Sequence, residues 1–458
     1  MNNLKNIVVA TLLCSSVSGC GLYSKYERPT DELVVVDSLY EYIEATDELS
    51  SIATISWRDF FVDPYLQSLI ELGIENNSDL NIARLSVDQA AAALRSAKLA
   101  YLPSLSLTPN VGITTLNGAT TRSYDLSASA SWEIDLFGKL TNAKEQSKAA
   151  LEQSVAYRQA VQTELISTIA NSYYTLLMLD EQLRISESTV LNWEKNTKAI
   201  EALKKAGRVN VTSVLQSEAN RVALSSSIVS IKQQIMQMES SLSTLLAIAP
   251  QRIERGSITE TRFSTELSVG VPLELLSNRP DVKVAEYNLM GAFYTTNEAR
   301  SSLYPSITLS GSAGYKGSGG VIPTPGEMIY SAAASLVQPI FSRGTLRAQL
   351  TISKSQQEQA LIQFKQAILD AGDEVNSALI QWQSATERLT CDKEHIALLE
   401  QAVRSQELLM KHGNVNYLEV LTAQISLLQG ELTYASDKFD EIQGVVYLYR
   451  ALGGGSEM

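Results

Sequence analysis

Few side chains in this sequence are placed to do chemistry. The two histidines, His395 and His412, have no partners at metal-ligand spacing, and the eight methionines are scattered. No nucleophile elbow, phosphate-binding glycine loop or Cys-x-x-Cys occurs. The three cysteines, Cys14, Cys20 and Cys391, cannot form a disulfide framework, and Cys391 reads as a packed helix residue. Asn416-x-x-Glu419 has the spacing of a capping box, in which the acid sits at the third helical position. The sequence therefore predicts no enzyme, no cofactor and no metal centre. The residue left to explain is Cys20.

Its neighbours explain it. "MNNLKNIVVATLLCSSVSGC" carries one positive charge, Lys5, then the apolar run Ile7 to Leu13, then Ser18-Gly19. The run is too short to span a bilayer and has secretory signal proportions. "VSGC" resembles the bacterial lipobox. That resemblance implies cleavage after Gly19, so that 1–19 is a lipoprotein signal peptide, and a lipid such as palmitate on Cys20. Gly21 follows rather than Asp, which by analogy favours the outer membrane. A plain signal peptide with an incidental cysteine is the alternative.

The elements that follow come twice. "YLPSLSL" (101–107) returns as "LYPSITL" (303–309), and Pro103 and Pro305 are 305 − 103 = 202 residues apart. "DLNIA" (79–83) lies over "DVKVA" (281–285), and Gly112 over Gly314. Later the offset drifts to 411 − 205 = 206, where "KAGRVNVTSVL" (205–215) lies over "KHGNVNYLEVL" (411–421). This is an internal duplication at a period far beyond solenoid repeats. It divides the mature chain into an N-terminal extension (20–56), a first repeat (57–255), a polar linker (256–271) and a second repeat (272–458).

Each repeat reads helix, strand, loop, strand, long helix, turn, helix. Strands are predicted at about 104–116, 122–134, 305–316 and 328–340, from alternation with period 2. Tyr124, Leu126, Ala128, Ala130, Trp132 and Ile134 share one face; Asp125, Ser127, Ser129, Ser131 and Glu133 share the other. Proline lacks an N–H and biases its predecessor out of the helical region, so the preceding helices are expected to end at Leu102 and Tyr304. In the second repeat Leu361, Ile368, Val375, Trp382, Leu389, Ile396, Val403 and Met410 fall every seventh residue, and Ala371, Ala378 and Ala385 form a small-residue companion seam. Such heptads predict long, closely approaching, left-handed coiled helices.

A net charge of −13 argues against nucleic acid as a partner, since phosphate neutralisation needs clustered Lys and Arg. Four amphipathic strands of membrane length cannot stand alone, because open edges are not tolerated in hydrocarbon. Eight strands from two chains would close on a filled interior, whereas twelve from three leave an aqueous lumen.

The sequence resembles TolC-like outer-membrane factors, specifically the lipoprotein, NodT-type branch of tripartite efflux systems. The resemblance is carried by "WRDFFVDPYLQSLI" (57–70), "WEIDLFGKLTNA" (132–143), "LLSNRPDVKVAE" (275–286), "LYPSITLSG" (303–311), "QPIFSRGTLRAQL" (338–350), "GNVNYLEVLTAQ" (413–424) and "LYRALGGG" (448–455). It implies a fold of mixed α and β class: a homotrimer whose 12-stranded β-barrel in outer-membrane lipid is continued by a 12-helix α-barrel. It further implies a passive exit duct for drugs, toxic compounds or metal ions, with a periplasmic adaptor (membrane fusion protein) and an inner-membrane pump of the resistance-nodulation-division type as partners. The turns at about 205–215 and 411–421 become periplasmic tips that touch the adaptor, with Lys205, Gly207, Val209, Asn210, Lys411, Gly413, Val415 and Asn416 as contact candidates. Gly207 and Gly413 suit a left-handed helix end, and Asn210 and Asn416 suit caps. Glu419 falls on an acidic gate position; Thr422 stands where some relatives have a second acid, and Val415 where some have a locking arginine. Cap and gate are both open readings of Glu419. "NRPDV" (278–282) reads as a helix start without chemistry. A type I protein-secretion duct is the transport alternative. A periplasmic coiled-coil scaffold lipoprotein is the structural one, and the four alternating strands argue against it.

Overall fold

The computed structural model describes residues 24–29, 55–116, 119–205, 207, 209–261, 263, 279–318, 327–412 and 417–455. In chain order its elements are α1 (Trp57–Phe60), α2 (Pro64–Asn76), α3 (Ser78–Leu99), β1 (Ser104–Leu116), β2 (Ala119–Ile134), α4 (Lys139–Lys205) and α5 (Val211–Leu245). Then come α6 (Pro280–Ser301), β3 (Ser306–Ser318), β4 (Glu327–Val337), α7 (Thr345–Lys411) and α8 (Tyr417–Ala451). Helix lengths recur: 22 residues in α3 and α6, 67 in α4 and α7, 35 in α5 and α8. At 1.5 Å per residue each 67-residue helix is about 100 Å long. No described helix is long and apolar enough to cross a membrane.

The helices before the strands stop at Leu99 and Ser301, three residues earlier than the prolines suggest. Proline 103 has no N–H to give the Leu99 carbonyl, and Leu102 N–H takes that acceptor at 2.9 Å in a tighter turn. Tyr304 N–H does the same for Ser301, at 3.0 Å. The fourth strand ends at Val337, before Pro339, rather than at 340.

Contacts divide the chain into two compact units, each drawing on both halves of the sequence. The first comprises residues up to Val34, Leu85–Ala156 and Lys283–Ala367, and contains the sheet. Its strands are antiparallel in the order β1-β2-β3-β4. Over the middle of the sheet the register sets apolar opposite apolar: Leu107↔Ala128↔Ala313↔Tyr330, and Trp132↔Leu309↔Ala334. The apolar face is open, with Leu105 83% and Val111 84% exposed. The other face carries a row of serines, one per strand. Ser106 Oγ meets Ser129 Oγ at 2.7 Å, Ser312 lies opposite Ser129, and Ser312 Oγ meets Ser331 Oγ at 2.7 Å. Residues 24–29 pack in this unit through Tyr26 N–H to Tyr294 Oη at 3.4 Å and Arg28 to Glu286 at 3.4 Å.

The second unit is Val35–Arg84, Tyr157–Val282 and Ile368–Met458. Its core centres on Phe60, stacked on Tyr449 at 4.2 Å, with Phe61, Tyr173 and Tyr174 buried around it. Tyr173 Oη donates to Asp63 at 2.6 Å and accepts from Gly256 N–H at 3.1 Å. Both repeats close with the same bond. Asn77 Nδ2 donates to the Leu245 carbonyl at 2.9 Å, and Arg279 Nη1 to the Ala451 carbonyl at 2.8 Å. Arg279 is buried, grips Asp281 with two nitrogens and reaches Glu374 at 2.7 Å. "NRPDV" is thus a helix start with an arginine clamp built into it.

Along α7, Val375, Ala371, Ala378 and Ala385 are buried, and α8 lies close enough that Gly444 abuts backbone. A Cβ on Gly444 would sit 2.9 Å from Trp382 N and 3.0 Å from its Cα. Since backbone cannot give way as a flexible side chain does, Gly444→Ala should cost about 1–3 kcal/mol of stability. A lowered unfolding midpoint of the purified protein checks this; an unchanged midpoint would mean the helices have room to spare.

Candidate functional site

The predicted tip residues gather where α4 ends and α5 and α8 begin. Two lysines, Lys204 and Lys205, close α4, where positive charge complements the helix C-terminus. Gly207 follows with φ +72°, and its N–H returns to the Lys204 carbonyl at 2.9 Å. Such a dihedral is cheap only for glycine.

Asn210 holds the cap position of α5 in extended backbone, but its side chain makes no capping bond. The cap is made by backbone alone, from Ser213 N–H to the Asn210 carbonyl at 3.2 Å. The sequence reading of a side-chain cap there is corrected accordingly. Val209 turns inward. It packs on a buried cluster of Ile200, Tyr417, Val420 and Leu421, together with Val214 and Met410. Its side chain is therefore committed within the chain, while Lys205 remains exposed.

In the second tip, Lys411 ends α7, and Gly413, Val415 and Asn416 lie outside the described residues. The capping partner of Glu419 is therefore not among the described residues. Glu419 itself stands exposed in the first turn of α8. Thr422 is exposed one turn on, its Oγ1 donating to the Leu418 carbonyl of its own helix at 2.8 Å. With a spacing of three, the two share one helix face, opposite the buried Tyr417, Val420 and Leu421. Cys20 also lies outside the described residues, and Cys391, expected to be packed, is exposed on α7, two residues past the buried Leu389 and so turned away from the seam.

Three side chains not flagged by the sequence complete the tip. Thr197 of α4, Ser217 of α5 and Tyr417 of α8 form a buried hydroxyl chain. Tyr417 Oη lies 3.2 Å from Ser217 Oγ, and Ser217 Oγ 2.8 Å from Thr197 Oγ1. Thr197 Oγ1 donates to the Trp193 carbonyl at 2.9 Å. That fixed last donor lets every hydroxyl in the chain donate once, from tyrosine to serine to threonine. Burial pushes the Tyr417 phenol up, so it stays protonated and can donate. No periodicity marks these residues, because their polar atoms sit at positions that the heptad pattern treats as core.

A second polar group ties α7 to α8. Arg388 bonds Asp437 at 2.8 Å and Asp440 at 2.9 Å. Asp392, one turn along α7 from Arg388, has its Oδ2 sealed from solvent without a donor. Burial, then hydrogen bonding to Asp437, holds the Asp392 carboxyl above the usual range; Asp437 charge adds to this, while His395 and Arg388 oppose it. Among the described residues no cluster of ligands could hold a metal ion.

The pattern of the outer membrane efflux protein family matches residues 69–247 and 271–454. The cation efflux system protein CusC of Escherichia coli K12 is 29% identical over 447 residues, 96% of this chain and 97% of that protein. The probable outer membrane lipoprotein SilC of Salmonella typhimurium is 29% identical over 468 residues, 99% of each chain. The open-state structure of the Neisseria gonorrhoeae outer membrane channel MtrE superposes with a TM-score of 0.85 and 26% identity, covering 96% of this chain and 99% of that one.

Asp392 sets a pH response for the α7–α8 pair. A carboxyl raised on folding adds stability that is full below its unfolded pKa and lost as pH rises through the folded value. Asp392→Asn removes the charge that forms there. In thermal melts over a pH series the variant should gain on the wild type as pH rises above the usual carboxylate range. A difference that does not change with pH would mean that Asp392 sets no such response.

Proposed function

The chain belongs to the outer membrane efflux protein family and is the outer-membrane exit duct of an efflux system; within that role, we propose that three copies close one pore and that α8 carries its periplasmic gate. The family is one of channels rather than enzymes. The observation that carries the proposal is the sheet. Its apolar face is exposed, its polar face is rich in serine, and its edge strands β1 and β4 each pair on one side only among the described residues. Three such sheets joined edge to edge give twelve strands, a closed surface toward lipid and a lumen wide enough for water.

The 67- and 35-residue helices of each copy continue the duct as twelve helices. Glu419 and Thr422, exposed on one face of α8, then repeat three times around the axis, with Glu419 supplying a ring of carboxylates. An acidic ring passes cations and resists anions. The cargo is small molecules or metal ions, a reading supported by the cation efflux named for CusC. The tips around Lys205, Gly207 and Asn210, and around Lys411, Gly413, Val415 and Asn416, meet a periplasmic adaptor. The adaptor in turn couples to an inner-membrane pump of the resistance-nodulation-division type, which supplies the energy. Cys20 carries the lipid, in line with the lipoprotein named for SilC.

Glu419→Gln tests the gate. The charge is lost at an exposed site, so folding should be preserved. In planar bilayers the variant should show a clear fall in cation over anion preference. Identical conductance and selectivity would remove Glu419 from the conducting path.

A further inference from the structure

We propose that the seam between two copies, at the periplasmic rim of the barrel, holds an anionic phospholipid. Arg95 and Lys98 of one copy and Arg343 and Arg347 of the next bind its headgroup phosphate, and Ile340 and Phe341 lie among its acyl chains. The proposal goes beyond the exit-duct reading and rests on the closure of three copies.

The sheet itself sets the depth. Trp132 lies on the apolar face at the helical end of β2 and is 41% exposed, where an aromatic residue marks the boundary between membrane and water. Just past β4, Ile340 is 96% and Phe341 83% exposed. These two side chains extend the apolar surface of the sheet by one more step. The cations come next. Lys98 stands 104 − 98 = 6 residues before β1, and Arg343 stands 343 − 337 = 6 residues after β4. Arg95 and Arg347 stand 104 − 95 = 9 and 347 − 337 = 10 residues away. Both pairs fall at headgroup depth, on long stems that lie along apolar surface and end in a polar layer.

Charge singles out these edges. The chain carries −13 overall, yet no acid occurs from 89 to 124 or from 328 to 357. Cations on the central elements are paired: Lys139 with Glu133 at 2.9 Å, and Lys144 with Glu145 at 3.1 Å. Arg95, Lys98, Arg343 and Arg347 are exposed and make no ion pair among the described residues. Arg347 stands in the first turn of α7, where positive charge opposes the helix dipole and no acid offsets it. Arg343 holds φ +50°, a conformation that glycine takes more cheaply. An anion between the two arginines offsets both penalties.

β1 and β4 are the edges of the sheet, so each pair alone is half a site. Joining β4 of one copy to β1 of the next brings three guanidinium groups and one ammonium to one seam. Like charges so placed repel. The acid-free edge segments offer no carboxylate from either copy to relieve this. A headgroup of net negative charge does, and arginine can bond its phosphate through two nitrogens.

The test uses full-length protein purified from membranes, stripped of lipid in detergent, and titrated with phosphatidylglycerol or phosphatidylethanolamine. Native mass spectrometry counts chains and bound lipids together. The three-chain species should take one phosphatidylglycerol per seam in preference to phosphatidylethanolamine. Arg343→Gln with Arg347→Gln, and Arg95→Gln with Lys98→Gln, should each weaken that binding roughly fivefold per charge removed. Lys393→Gln, 393 − 347 = 46 residues further along α7, should leave it unchanged. Where a variant fails to assemble, the lipid preference of the wild type decides. Equal binding of the two lipids by a three-chain species overturns the site and leaves the trimer standing. So does binding that both double variants retain in full, or that excess inorganic phosphate displaces, since a plain anion site has no use for acyl chains. A monomer overturns both readings.

Discussion

A strand in hydrocarbon has no water to satisfy its backbone, so each N–H and C=O must find another strand. Among the described residues, the sheet of this chain meets that demand for β2 and β3 and leaves one side of β1 and of β4 unmet. Its exposed apolar face points to a lipid surface, and lipid makes those two free edges untenable. Closure with further copies follows from this one constraint. The number of copies follows from the width of a closed barrel: eight strands leave no lumen, twelve do. The serine row then acquires a place, because only a hydrated interior gives a use to a polar face four strands wide.

The helices answer a related demand by a different route. A duct wall made of helices must hold two 67-residue rods beside two 35-residue ones without gaps. Small residues allow it. Ala371, Ala378 and Ala385 form a seam on α7, and Gly444 of α8 touches the backbone at Trp382. Charge then fixes what packing has brought near. Arg279 ties the start of α6 to the end of α8, Arg255 ties Asp180 to Glu239, and Arg388 spans Asp437 and Asp440. At the tip the buried contacts among α4, α5 and α8 are neutral hydroxyls and aliphatic groups, weaker and more readily exchanged for water.

Much of this was written in residue order. Alternation from Tyr124 to Ile134 named the strand face, and the match of "YLPSLSL" to "LYPSITL" named the repeat. Both signals are local or self-similar, so sequence carries them well. The helices end three residues before the positions the prolines suggest, because the proline's missing N–H is felt at the Leu99 carbonyl, a full turn upstream. Asn210 holds the cap position its type suggests but makes no side-chain cap bond, since side-chain rotamers are set by neighbours that order along the chain does not reveal. The hydroxyl chain and the Arg279 clamp were not visible at all. Tyr417 and Ser217 are 417 − 217 = 200 residues apart, and Arg279 meets a carbonyl 172 residues away. Only the folded chain brings such pairs together, and no pattern within one element records them.

The central claim is that the unpaired edges of one sheet are completed by other copies of this chain. The most direct test is the native mass of the protein extracted from outer membranes in mild detergent. A single species of three chains, resistant to dilution, is the expected result. A stable monomer that becomes water-soluble once its lipid is removed would contradict it, and would leave the sheet's apolar face and free edges without their explanation.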